Sequence, residues 1–282
     1  EKIEKNHALF FLDCTAGEGG HSLAILNHFI NSKILLFDRD LEMIERAKER
    51  LKNFSDRVRF VHCNYSEINE SILVSQGFPS KVDGILIDAG ISMTHYQKSN
   101  RGFSIKLDED LDMRLDISNR LTAREILKRY NATQLERIFR EFGEENWAKK
   151  IANTLVEIRK RNPILTTKDL AKFIESVIPR KFWPPKSHPA VRIFQALRIE
   201  VNSELEHLQK AMESLPGLLH KRGIFCAISF HSLEDRIVKH GMKKLEKEGF
   251  EILTKKPIIP TDAEIEKNNS ARSSKLRSVR KL

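Results

Sequence analysis

Three aspartates occupy equivalent places along the chain, each at the end of a short apolar run. The runs are typical of buried strands, and they end at Asp13, Asp38 and Asp88. Tyr65 ends another run of the same kind. In α/β folds, ligands bind at the carboxyl ends of parallel strands, so these four side chains are candidates for contact with a ligand.

A glycine-rich segment, residues 14–21, follows the first of these aspartates and precedes a helical pattern. Glycines there let the backbone adopt positive φ and let a ligand come close, while the helix start offers free N–H groups. The segment is not the dinucleotide-binding fingerprint, because the sixth position counted from Gly17 is Ser22. It is not a phosphate-binding P-loop either, because Gly-Lys-Ser/Thr is absent. An ordinary glycine-rich turn remains the alternative to a binding turn.

The elements that would position these residues alternate in the first part of the chain. Strand and helix patterns follow one another to about residue 90, at the spacing of a parallel sheet. The alternation then stops, and residues 97–195 are first loop-like and then helical. We predict a Rossmann-like α/β domain over 1–96 and 196–282, interrupted by a helical insert at 97–195.

Helical patterns within the insert cover 122–130, 133–141, 145–160 and 167–178. Thr133 and Thr166 are the predicted N-caps of the second and fourth of these helices. A long helical pattern over 189–214 then leads to a fifth strand at 224–230. Residues 267–282 are predicted to form a basic C-terminal tail.

Composition places the chain among soluble globular proteins, with 40% hydrophobic and 31% charged residues. No apolar run approaches the roughly 20 residues that span a bilayer, and no secretory signal is visible. The three cysteines, Cys14, Cys63 and Cys226, are far apart and lie in strand-like segments. They indicate free thiols in a reducing compartment rather than disulfides or a metal site. We therefore expect a cytoplasmic protein without a bound metal.

Positive charge is unevenly distributed along the chain, whose net charge is +10. Residues 98–195 contain 21 Lys and Arg against 13 Asp and Glu, and residues 267–282 contain six basic residues and no acid. Such surpluses favour a polyanionic partner, most simply a nucleic acid. Solvated helix faces are the alternative.

Several motifs, in this order, resemble one family of enzymes. They are Asp13-Cys-Thr-Ala-Gly-Glu-Gly-Gly-His-Ser22, Asp38-Arg-Asp40, Asp83-Gly-Ile-Leu-Ile-Asp-Ala-Gly90, Arg101-Gly-Phe-Ser104, Leu111-Asp-Met-Arg-Leu-Asp116, Phe142-Gly-Glu-Glu145, His188-Pro-Ala-Val-Arg-Ile-Phe-Gln-Ala-Leu-Arg-Ile199, Ser229-Phe-His-Ser-Leu-Glu-Asp-Arg-Ile-Val-Lys239 and Ala271-Arg-Ser-Ser-Lys-Leu-Arg277. The chain resembles the bacterial RsmH/MraW-type methyltransferases, which methylate N4 of a cytidine in small-subunit (16S) ribosomal RNA. The resemblance implies a class I S-adenosylmethionine-dependent methyltransferase fold and a substrate in the decoding region.

The resemblance also implies a set of contacts with S-adenosylmethionine. Its members are Gly19, Gly20 and His21 at the methionine end, Asp38 at the ribose hydroxyls, Tyr65 beside the adenine, Asp88 after the fourth strand, and His95. His95 stands where the family usually has Gln, which is a departure from its pattern. The family's His-x-Pro-Val segment is not visible near the start of this sequence.

Methylation of an amine needs a group that takes its proton, and Asp88 is the first candidate. A role for Asp88 in orienting only the cofactor or the loop is the alternative. His231 is the second candidate, with a structural role at the end of the fifth strand as its alternative. Asp112 and Arg114 could order a loop over the site or pair with each other.

The target base must be unpaired or flipped out of its helix, and aromatic and cationic side chains of the insert could hold the RNA. Candidates for contact are Lys181, Trp183, Lys186, Arg192 and Arg198, with Phe103 and Phe182 as further stacking residues or core residues. The insert could also support a homodimer. Two rival functions are a methyltransferase of the same fold acting on a protein or small molecule, and an RNA-binding assembly factor without activity.

Overall fold

The structure, a computed structural model, describes residues 8–98, 100–185 and 187–282. The chain forms two compact units, one comprising the residues up to 91 together with 205–282 and the other 92–204. The second unit therefore extends beyond the predicted insert of 97–195 at both ends.

The first unit is built on a seven-stranded sheet with the order β3-β2-β1-β4-β5-β7-β6. The strands are β1 (Leu9–Asp13), β2 (Ser32–Asp38), β3 (Val58–His62), β4 (Val82–Asp88), β5 (Leu219–Ser229), β6 (Phe250–Ile252) and β7 (Lys275–Lys281). Strands β1 to β5 pair in parallel, whereas β7 is antiparallel to both β5 and β6. The predicted Rossmann-like α/β fold is confirmed.

Helices cover both faces of this sheet. They are α1 (Gly20–His28), α2 (Leu41–Arg50), α3 (Glu70–Ser75), α10 (Glu204–Ser214) and α11 (Ser232–Lys247). A further helix of this unit, α12 (Asp262–Lys267), has no buried residue. The strand β2 shows that the sheet is covered on both faces, because residues 34–37 are all fully buried. Ile34 and Leu36 belong to one core cluster, and Leu35 and Phe37 to another. An uninterrupted apolar run is the pattern expected of a parallel strand buried on both faces.

The second unit is helical and has its own core. Its helices are α4 (Met93–Lys98), α5 (Ala123–Arg129), α6 (Ala132–Glu141), α7 (Ala148–Ile158), α8 (Thr167–Val177) and α9 (Val191–Asn202). Thr166 caps α8 in a reciprocal capping box with Asp169, as predicted. The predicted cap at Thr133 is wrong, because Asn131 and Gln134 form the capping box of α6.

Two further expectations are corrected by the structure. The helix predicted over 189–214 is two helices, α9 and α10, because Ser203 adopts a left-handed conformation with φ 46° and ends α9. Residues 275–281 of the predicted basic tail form β7, an internal strand of the sheet. Its Arg277 is only 8% exposed, and its Nε donates to Asp235 Oδ1 at 2.8 Å.

The three cysteines are free thiols, of which Cys14 is buried and the other two are partly buried. None of the helices among the described residues is long and apolar enough to cross a membrane.

Candidate active site

The glycine-rich turn between β1 and α1 is fixed to the strands on both sides of β1. The N–H of Cys14 donates to the carbonyl of Leu86 on β4 at 2.9 Å, and the N–H of Ala16 donates to Phe37 on β2 at 2.8 Å. The turn therefore lies at the carboxyl edge of the sheet, between the ends of β2 and β4. This is the edge at which the sequence predicted a ligand.

Asp13 faces inward rather than toward a ligand. Its side chain is fully buried, and it accepts hydrogen bonds from the hydroxyl of Ser22 at 2.7 Å and the N–H of Thr15 at 3.2 Å. Burial raises the pKa of Asp13 to about 6. Asp13 thus closes the turn onto the first helix, and Asp38 and Asp88 remain the strand-end acids that are candidates for contact with a ligand.

Asp38 holds the turn from the other side while keeping acceptor capacity. Its Oδ2 accepts the N–H of Gly17 at 2.8 Å, and its Oδ1 accepts the N–H of Asp40 at 2.9 Å. Burial raises the pKa of this carboxyl group. Each carboxylate oxygen has two lone-pair directions, so each can accept one further hydrogen bond from a ligand hydroxyl.

Asp88 is tied to the turn and to the first helix. Its N–H donates to Thr15 Oγ1 at 2.7 Å, and its Oδ2 lies 3.2 Å from Nε2 of His21. Its Oδ1 is buried and has no hydrogen-bond partner among the described residues. The hydrogen bond to Asp88 raises the pKa of His21. A buried carboxylate oxygen without a donor is costly, which makes Oδ1 a candidate acceptor for a ligand donor.

Backbone conformation at Gly19 explains why the turn needs glycine. Gly19 is the N-cap of α1 and has φ 76°, and no side chain caps the helix. A Cβ on Gly19 would lie 3.2 Å from Leu51 Cδ1 and 3.4 Å from the Cβ of Ala47. No side chain among the described residues therefore caps the first N–H groups of α1, which makes them candidates for contact with a ligand.

Tyr65 is placed at the neighbouring strand end. It begins a short 3₁₀ turn after β3, next to β2 in the sheet, and is partly buried against the core. Of the predicted ligand contacts, the first unit thus brings Gly19, Gly20, His21, Asp38, Tyr65 and Asp88 to one edge of the sheet.

His231 acts as the N-cap of α11. Its Nδ1 accepts the N–H of Glu234 at 3.4 Å, while Glu234 Oε2 accepts the N–H groups of Phe230 at 2.8 Å and His231 at 3.3 Å. This reciprocal capping box supports the structural alternative for His231.

His95 belongs to the second unit, where it is 4% exposed. Its Nδ1 accepts the N–H of Ser92 at 3.1 Å, and its ring centroid lies 5.4 Å from that of Phe103. In the same unit, Asp112 and Arg114 form an ion pair of 2.7 Å, which is one of the two roles that the sequence left open.

The predicted RNA contacts of the second unit differ in exposure. Lys181 and Phe182 are exposed and adjacent, with the ammonium 5.0 Å from the ring centroid. Trp183 is half-buried, and its indole N–H donates to the carbonyl of Ile178 at 2.9 Å. Lys186 lies outside the described residues.

The two arginines of α9 that are predicted to contact RNA differ in exposure and in their partners. Arg192 is exposed and donates to the carbonyl of Glu144 at 3.1 Å. Arg198 forms two 2.9 Å hydrogen bonds with Glu204, and the two side chains are only 12% and 6% exposed. Arg192 is therefore available at the surface, whereas Arg198 is half of a buried ion pair.

A cavity of about 830 Å³ lies within the second unit. Aromatic side chains of Tyr96, Phe103 and Phe194 line it together with His188 and Gln195. Its volume lies in the range of small-molecule sites. Sequence reasoning did not identify this cavity, because its lining comes from five separate segments of the chain.

The model of the MraW methylase family matches residues 1–282. A "Ribosomal RNA small subunit methyltransferase H" from Leptospira interrogans is 52% identical over 282 residues, which are 100% of this chain and 84% of the relative. A protein of the same name from Sulfurihydrogenibium sp. is 45% identical over 273 residues, covering 96% of this chain and 92% of the relative. Among solved structures, the N-methyltransferase NodS from Bradyrhizobium japonicum aligns with a TM-score of 0.40 at 10% identity, covering 97% of this chain and 85% of NodS.

Proposed function

Because the chain belongs to the MraW methylase family, we propose that it transfers a methyl group from S-adenosylmethionine to N4 of a cytidine in the 16S ribosomal RNA of the small subunit, in the decoding region. The names of the curated relatives support ribosomal RNA as the substrate. The observation that carries the proposal is the unpartnered, buried Oδ1 of Asp88 beside the glycine-rich turn.

The residues of the first unit fit S-adenosylmethionine. The remaining lone pairs of Asp38 suit a ribose diol, and the open N–H groups at the start of α1 suit a carboxylate. Tyr65 offers an aromatic face at the next strand end. When bound, S-adenosylmethionine supplies a methyl group on a positively charged sulfur, which leaves as a neutral thioether.

Asp88 is proposed to accept the proton that N4 loses. The lone pair of the cytosine amine is conjugated with the ring, so an acceptor that holds an amine hydrogen makes the nitrogen a better nucleophile. His21 holds Oδ2 at 3.2 Å, which leaves Oδ1 to accept from the amine. The methyl group would come from bound S-adenosylmethionine, whose sulfur would leave as the thioether, and Asp88 would hold and then take the proton that N4 loses.

The second unit is proposed to hold the RNA. Its basic surplus lies in the part of the chain that carries the exposed Lys181 and Arg192. The aromatic cavity lined by Tyr96, Phe103 and Phe194 supports binding of an unstacked base, because the face of such a base stacks on aromatic side chains.

Labelled S-adenosylmethionine with small subunits that lack the modification tests this proposal. The wild-type protein should produce N4-methylated cytidine on nucleoside analysis, and Asp88→Asn should produce very little. Label on protein, or on another nucleoside, would contradict the substrate. Absence of binding in a titration with S-adenosylmethionine would instead support an assembly factor without activity.

A further inference from the structure

Helix α11 leaves the sheet at the edge that carries the candidate active site. It begins at Ser232, directly after the carboxyl end of β5, and runs 16 residues along the sheet. Its inner face places Val238, Met242 and Leu245 in the core. The opposite face is therefore a fixed surface that starts beside the strand ends and extends away from them.

Three lysines form a ridge on that outer face. Lys239, Lys243 and Lys247 are spaced by four residues, and all three are exposed. On an α-helix this spacing puts successive side chains about 6 Å apart along the axis and about 40° apart around it. In the part of the chain that the structure describes, no carboxylate lies within 4.0 Å of these ammonium groups.

Lysines on two other helices of the first unit behave differently. Lys48 at the end of α2 pairs with Glu45 at 2.7 Å, and Lys210 on α10 pairs with Glu206 at 2.8 Å. Lys52, just after α2, pairs with Glu49 at 2.6 Å. Each of these lysines is neutralised by an acid on the same segment. The three lysines of the ridge on α11 have no such paired acid among the described residues.

The acids of α11 itself are mostly engaged elsewhere. Glu234 is 2% exposed and belongs to the capping box, while Asp235 pairs with Arg277 at 2.8 Å and Lys275 at 3.2 Å. Glu246 is exposed on the flank of the ridge. The outer face of α11 consequently carries a surplus of positive charge.

We propose that the ridge Lys239–Lys243–Lys247 binds the phosphate backbone of the RNA beside the target nucleotide. The choice of RNA rests on the proposed function, and the ridge adds a second contact surface outside the helical unit. Three positive charges in a row fit a linear polyanion, and lysines bind phosphates as point charges without reading sequence. Insertion of α11 into a membrane surface does not fit, because its apolar face is packed in the core.

The test is the salt dependence of binding of the full chain to protein-free 16S RNA. The variant is Lys239→Gln/Lys243→Gln/Lys247→Gln, and the control is Lys48→Gln/Lys52→Gln/Lys210→Gln, which removes the same charge from paired positions. Each phosphate contact contributes about −0.7 to −0.9 to the slope of log K against log salt. The ridge variant should therefore have a slope smaller in magnitude by about 2 to 3, and the control should keep the wild-type slope.

Equal slopes for the wild type and the ridge variant would overturn the proposal, as would equal changes in both variants. Unchanged binding to protein-free RNA with weaker binding to intact subunits would also overturn it, in favour of a ribosomal protein. The methylation activity of the wild type is measured in a separate assay, by nucleoside analysis. If no N4-methylcytidine forms but the ridge slope still changes, the proposed reaction fails while the RNA contact stands.

Discussion

Nε2 of His21, in the first turn of α1, lies 3.2 Å from Oδ2 of Asp88 at the end of β4. The two residues are 67 positions apart in the sequence, and their contact gives the two oxygens of Asp88 different surroundings. One is held by the imidazole, and the other is buried without a partner among the described residues. A carboxylate fixed in this way is oriented before any ligand arrives, which is a requirement for efficient proton transfer.

Asp88→Asn keeps the size of the side chain but removes its basicity. We expect the single-turnover rate of methyl transfer to fall by about 10²–10⁴-fold, the contribution typical of a positioned base. The dissociation constant for S-adenosylmethionine, measured by calorimetry, should change by less than about tenfold. If the affinity falls as much as the rate, Asp88 serves cofactor binding only.

Asp13 makes stability depend on pH. Its pKa is raised from 3.8 to about 6 in the folded protein, so the fold favours the protonated form. The contribution of Asp13 to the free energy of unfolding is complete below about pH 4. It falls by roughly 3 kcal/mol as the pH rises through about 6. The free energy of unfolding of the wild type relative to Asp13→Asn should decline over that window. Parallel curves from urea denaturation between pH 4 and 8 would contradict the prediction.

Thr15 connects the turn to β4 through its hydroxyl, which accepts the N–H of Asp88 at 2.7 Å. Thr15→Val keeps the shape but leaves that N–H without its acceptor, so unfolding free energy should fall by about 1–3 kcal/mol. Thr15→Ser retains the hydroxyl and should lose much less. Denaturant titration of both variants gives the comparison, and a loss in Thr15→Ser as large as that in Thr15→Val would contradict the role given to the hydroxyl.

Arg192 and Arg198 should separate RNA binding from stability. Arg198→Met leaves Glu204 buried and unpaired, which should cost about 3–5 kcal/mol of stability. Arg192→Gln, at an exposed position, should leave thermal unfolding unchanged and weaken RNA binding. Thermal unfolding and filter binding of both variants distinguish the roles. A thermally normal Arg198→Met would refute the structural assignment.

Alanine substitutions at the adjacent Gly19 and Gly20 should have different effects on stability. Gly19→Ala places a Cβ at φ 76° and 3.2 Å from Leu51, so we expect a loss of about 1–2 kcal/mol in unfolding free energy. At Gly20 the nearest atom to a new Cβ is the end of the Arg50 side chain at 3.5 Å, so Gly20→Ala should keep the wild-type stability. Equal destabilisation of the two variants would contradict the role given to backbone conformation.

Much of the first unit could be predicted from local pattern. Apolar runs ending in acids gave the parallel strands, and chain order then put Asp38 and Asp88 at one edge of the sheet. The inward direction of Asp13 could not be predicted, because it depends on a hydroxyl nine residues later on α1. The His21–Asp88 pair likewise depends on how far α1 turns relative to β4.

Predictions from the sequence were wrong where a segment rich in charged residues lies inside the fold. Lys275–Lys281 contains four basic residues among seven, so its pattern resembles a solvated tail. In the fold, Asp235 on α11 neutralises Arg277 and lets this segment enter the sheet. The break at Ser203 was missed for a different reason, because a single left-handed residue leaves the apolar periodicity on both sides unchanged.

The position of β7 bears on when a newly made chain can become active. This late segment pairs with β5 and is also the neighbour that attaches β6 to the sheet. While residues 275–281 are still being synthesised, β5 has an open edge, β6 has no strand to join, and Asp235 lacks its counter-ions. Such pairing between distant parts of the chain forms slowly. A nascent chain therefore has its strand-end acids before its sheet is complete, and the pairing of β6 and β7 with β5 follows translation of β7.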